Sequence, residues 1–144
     1  MRKKFVTALL FVFAVQLTVS AQQDFTKHPG TSGDGWVSLF TGDLSDAVFP
    51  KGIWTISDGV ITASEDEVIW TKQKYTDFIL DLEFKNGDGA NSGVIVHAGK
   101  MKKWIPHSVE IQVMDDYAEK WLTAPASWKC GAVFGHQAAT QTTV

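Results

Sequence analysis

Phe78-Ile79-Leu80-Asp81-Leu82-Glu83-Phe84-Lys85 is the stretch that decides how this chain reads. Phe78, Leu80, Leu82 and Phe84 alternate with Ile79, Asp81, Glu83 and Lys85. Successive side chains of an extended backbone point to opposite faces, so the pattern predicts a half-buried β-strand. The same pattern recurs outward from there. In Ser108–Met114, Val109, Ile111 and Val113 are expected to face a core, with Ser108, Glu110 and Gln112 on the other side. Gly93 to Ala98 reads as a neighbouring strand, after a Gly- and Asn-rich loop from Asn86 to Ser92. Trp54 to Ile56 and Val60 to Thr62 flank Ser57-Asp58-Gly59, and Asp-Gly between two such runs predicts a tight hairpin. Trp36 to Phe40 and Gly131 to Phe134 are the first and last candidate strands. Asp115 to Leu122 is expected to be one short helix, with Asp115 or Asp116 as its N-cap. Short strands at regular spacing, broken by turn residues, predict an all-β fold: a two-sheet antiparallel β-sandwich.

The amino terminus has a different character. Arg2, Lys3 and Lys4 precede a largely apolar run from Phe5 to Val19, and Val19-Ser20-Ala21 supplies small residues before Gln22-Gln23. That is the layout of a secretory signal peptide cleaved after Ala21. The apolar run is short for a membrane span of about 20 residues. An exported protein, periplasmic or secreted, with no membrane attachment after cleavage is therefore expected. Residues 22–35 read as a flexible leader and residues 36–144 as the β-sandwich domain. Without the three basic residues at 2–4, ten basic residues stand against sixteen acidic ones, a net charge of −6. Such a chain is a poor partner for nucleic acid, whose phosphates demand clustered Lys and Arg. Cys130 is the single cysteine, so no disulfide forms within the chain.

The residues that could carry chemistry lie between Asn91 and His136. Glu110 and Gln112 are two apart on one strand, which puts their side chains on one face, roughly 7 Å from each other. They could grip sugar hydroxyls, or simply form a wet outer face. His97, near the end of the preceding strand, could lie beside Glu110. Asp115-Asp116 follows directly, and paired Asp residues either bind a divalent cation or cap a helix. His107 and His136 add imidazoles, and the Trp104 indole could stack on a sugar ring or pack. No spacing typical of a metal site occurs, so a divalent cofactor stays open, with Glu110, His97 and Asp115 as weak ligand candidates. No nucleophile elbow, phosphate loop or dinucleotide fingerprint is present.

Six pieces in order, from Trp36 to His136, resemble the 3-keto-disaccharide hydrolase domain family. They are Trp36-Val37-Ser38-Leu39-Phe40-Thr41-Gly42 with Leu44-Ser45, Trp54-Thr55-Ile56 with Asp58-Gly59-Val60-Ile61, and Trp70-Thr71-Lys72 with Tyr75 and Asp77-Phe78. Leu82-Glu83-Phe84 leading into Asn91-Ser92-Gly93-Val94, then Val109-Glu110-Ile111-Gln112-Val113 with Asp115-Asp116, and Gly131-Ala132-Val133-Phe134-Gly135-His136 complete the set. The resemblance implies a concanavalin A-like jelly roll, export, and action on sugars oxidised at C3. Family domains continue past the position of Val144, so an incomplete sandwich is expected. His97 stands where many relatives carry another residue.

What the resemblance implies about chemistry can be written out. A 3-keto group acidifies the C2 hydrogen, a base removes it, the C1 oxygen substituent leaves by β-elimination, and water adds back. Such a site needs a base, a group to stabilise the enolate oxygen, and an acid for the leaving oxygen. Glu110, His97 and Asp115 are the expected catalytic residues, with Glu110 as base or metal ligand. Gln112, Asn91, Trp104 and His136 are the expected substrate-binding residues. A carbohydrate-binding sandwich without catalysis, or an inactive fragment, is the competing expectation. The sequence does not address oligomeric state.

Overall fold

The computed structural model describes residues 35–141. The expected signal peptide, and all of the leader but Gly35, lie outside the described residues. Every regular ladder is antiparallel, and there is no α-helix among the described residues. The all-β expectation is met at that level. The chain divides into two compact units between Phe78 and Ile79, inside the expected 36–144 domain.

The first unit holds four strands. β1 (Ala47–Val48) pairs with β4 (Trp70–Thr71), and β2 (Trp54–Ser57) pairs with β3 (Val60–Ala63). The β2–β3 hairpin forms where the Asp-Gly pair predicts it. Ser57 faces Val60, and the two residues between them have φ of 51° at Asp58 and 78° at Gly59. Two successive left-handed residues are what a two-residue turn matched to strand twist requires. Ahead of β1, the Thr41 amide donates to both carboxylate oxygens of Asp46, at 2.9 and 3.0 Å. The Ser45 amide donates to Asp43 Oδ1 (3.0 Å) and, with further hydrogen bonds, holds that carboxyl down at about 2. This loop folds Leu44 inward, where it is buried. Trp36 to Phe40 forms no ladder, contrary to expectation.

The second unit is built on β5 (Asn91–Val96) and β6 (Val109–Met114), paired antiparallel over six residue pairs. The other edge of β6 is hydrogen-bonded to residues 131–134. The Gln112 amide donates to Ala132 O, the Gly131 amide to Gln112 O, and the Phe134 amide to Glu110 O, each at 2.9 Å. Gly131 to Phe134, the last expected strand, lies beside β6 but forms isolated bridges at Val133 rather than a full strand. β6 is thus the central strand of this unit, and Val113, Met114, Cys130 and Ala132 form its buried core.

Three expectations need correction. Residues 78–85 form no ladder, and Phe78, Ile79, Leu82 and Phe84 remain substantially exposed. Alternation marks which side chains share a face but supplies no pairing partner. The helix over Asp115 to Leu122 is instead a turn followed by a single 3-10 turn, Glu119–Trp121. Asp115 binds the amide two residues ahead of it, at Tyr117 (3.2 Å), a local bond that competes with helical geometry. Finally, Gln112 does not face solvent. It is 1% exposed, as deeply buried as its apolar neighbours Val113 and Met114.

Candidate functional site

The register of β5 and β6 decides which side chains meet. Glu110 is opposite Ile95, Gln112 opposite Gly93, and Met114 opposite Asn91, so all six share one face. On that face Gln112 Nε2 donates to Asn91 Oδ1 at 2.7 Å. Among the described residues, Gln112 Oε1 is the buried side-chain atom left with no hydrogen-bond partner. Glu110 is half-buried, and desolvation alone raises its carboxyl above the usual carboxylate range. A carboxylate made more basic by burial is a better proton acceptor than a free one, which suits proton transfer.

Gly93 escaped the sequence reading as a site residue. A Cβ built there would sit 2.6 Å from Glu110 Cγ and 2.8 Å from Cδ, and would collide with Oε1. The Glu110 side chain therefore crosses β5 where glycine leaves room. A glycine inside a strand signals close approach by something, and that signal was available in Asn91-Ser92-Gly93-Val94.

The remaining expected residues stand apart from this group. His97 directly follows β5, is exposed, and has a left-handed φ of 54°. Asp115 is committed to the chain. Its Oδ2 accepts the Gly89 amide at 2.8 Å and its Oδ1 the Tyr117 amide, and these bonds lower its pKa, Gly89 contributing most. Asp116 likewise accepts the Cys130 amide at 3.0 and 3.2 Å. Trp104 lies between two 3-10 turns, Met101–Lys103 and Ile105–His107, where its carbonyl accepts from Ser108 Oγ and from the His107 amide, both at 2.8 Å. His136 is exposed in the tight turn between Val133 and Gln137. A cavity of about 330 Å³ lies elsewhere, lined by Asp116, Tyr117, Lys129 and Cys130 among others, and none of the expected site residues borders it. Among the described residues no three His, Cys, Asp or Glu side chains gather as a metal site, so Glu110, His97 and Asp115 do not form one.

A family model described as the 3-keto-alpha-glucoside-1,2-lyase-like domain matches residues 25–144. The chain belongs to this family. A solved structure described as a candidate glycosyl hydrolase from Parabacteroides distasonis is similar to this member of the 3-keto-alpha-glucoside-1,2-lyase-like family, 46% identical, with a TM-score of 0.73. The match covers 76% of this chain and 56% of that one, so this chain spans little more than half of its relative's length. No curated protein matched the sequence. The motif pieces that resembled the family all fall within the matched residues.

Proposed function

We propose that this protein acts on carbohydrates as an exported hydrolase or lyase that cleaves the C1–O bond of 3-keto-glycosides. The finer fold proposed with it is a two-sheet, concanavalin A-like jelly roll. One observation carries the activity: a half-buried carboxyl, Glu110, raised by desolvation and set on the same face as Gln112 and Asn91. The reaction begins with loss of the C2 proton to a base, its electron pair moving into an enolate. The enolate pair then forms the C1–C2 double bond as the C1–O bond breaks, and the leaving oxygen takes a proton. The C3 carbonyl re-forms in the same step, and water then adds across C1=C2, hydroxyl to C1 and proton to C2, giving net hydrolysis.

Glu110 is the proton-transfer group in this reading. His97, exposed one residue past β5 and apart from Glu110, is put forward as the second ionisable group, serving a different atom of the substrate. Asp115 is a poorer counterpart, because both its oxygens already accept backbone N–H groups. Buried Gln112 holds Asn91 rather than reaching into solvent.

Incubation with a 3-keto-disaccharide, following release of 3-keto-glucose, tests this reading. Release that disappears in Glu110→Gln is expected. Saturable sugar binding without release would replace the enzyme by a carbohydrate-binding module, and neither binding nor release would sink both readings.

A further inference from the structure

The contact between Glu110 and Gly93 has consequences for the proposed site. Glu110 does not stand over Ile95, its own cross-strand partner. Its Cγ, Cδ and Oε1 lie over Gly93, two residues back along β5. Gly93 is the partner of Gln112, so the carboxyl leans diagonally along β6 toward the Gln112 position. There the chain already carries a buried, unpartnered oxygen, Gln112 Oε1, on an amide whose other end is fixed by Asn91. Any side chain at position 93 would fill the space that the carboxyl occupies. The need for glycine here is spatial, since Gly93 is not among the residues with positive φ.

We propose that Gly93 is a positioning residue: its missing side chain is the seat that lays the Glu110 carboxyl across β5, beside Gln112, in its working place. This rests on the reading of Glu110 as the proton-transfer group. A methyl group at position 93 pushes the carboxyl off its seat while leaving the β5–β6 hydrogen bonds intact. A displacement of about 1 Å at a reacting group can cost on the order of 100-fold in rate. The loss falls on kcat rather than on KM, because the sugar's other contacts are unchanged.

The test has one arm that requires turnover and one that does not. In the unmodified chain, proton NMR should give a nuclear Overhauser contact between the Glu110 γ-methylene and the Gly93 α-protons. Gly93→Ala should keep the β5–β6 amide contacts, lose the Glu110 contact at position 93, and lower kcat on a 3-keto-disaccharide by about 100-fold with little change in KM. Absence of the Glu110–Gly93 contact in the unmodified chain overturns the proposal, whether or not the variant folds. So does a folded Gly93→Ala protein that retains its full kcat. A chain that shows the contact, loses it in the variant and yet releases no sugar would refute the activity while leaving the seat standing.

Discussion

β6 is hydrogen-bonded along both edges, to β5 on one side and to residues 131–134 on the other, whereas residues 78–85 have no ladder. The two segments alternate apolar and polar residues equally well. Their packing differs: Val113 is 8% exposed in β6, and Leu82 is 42% exposed in the other segment. Alternation is a local property, and pairing depends on a partner far away in sequence arriving in register. β6 has that partner in β5, a strand of equal length at Asn91–Val96, two residues earlier than the Gly93–Ala98 reading, which returns antiparallel through two 3-10 turns.

The largest expected effect tests this contrast directly. Val113→Asp should abolish cooperative thermal unfolding, because a carboxylate buried without a partner costs on the order of several kcal/mol. Leu82→Asp should leave the transition nearly unchanged. Equal damage from both would mean that residues 78–85 are packed as tightly as β6, and the contrast would break.

Next in size is Glu110→Gln, expected to lower turnover by about 100-fold or more. Its effect on stability has a definite sign. The folded-state pKa of Glu110 is raised, so the stability linked to its proton is present at low pH and is lost as pH rises through the folded value. The variant should therefore match the parent in acid and melt slightly higher at alkaline pH. A parent that gains on the variant as pH rises would show that Glu110 has an unrecognised cationic partner.

How much could be read beforehand follows the same local and non-local divide. The β2–β3 hairpin was legible because Asp58-Gly59 fixes its turn within four residues. Glu110 and Gln112 were legible as a pair on one face from their spacing, whereas Asn91 was read in a loop and its place opposite Met114 on the same face was not legible. The burial of Gln112 was not legible either: it is 1% exposed, and strand spacing tells which side chains share a face, not which face is covered. Nor was the bond from the Gly89 amide to the Asp115 carboxylate, 26 positions apart, since no spacing rule reveals such a bond.

A smaller effect sharpens the hairpin side of the comparison. Gly59→Ala places a Cβ at a φ of 78° and should cost about 1 kcal/mol, read from a denaturation midpoint. No change would mean that the turn relaxes to another type without loss. The smallest effect is expected for Asp115→Asn. The Asp115 pKa is lowered, so its contribution is present above the unfolded value and is lost as pH falls through the folded one. The parent should exceed the variant slightly at neutral pH, the gap closing in strong acid, and the Gly89 amide should exchange faster in the variant. Unchanged Gly89 exchange would remove Asp115 as the tether of that loop.

Cys130 gives the molecule a built-in clock. The residue is 4% exposed, beside the backbone that closes the far edge of β6, and the chain contains no second sulfhydryl to confuse the signal. It also borders the cavity of about 330 Å³, so the rate of colour release from an aromatic disulfide reagent reports how readily that cavity and the neighbouring edge admit a bulky probe, without altering a single residue.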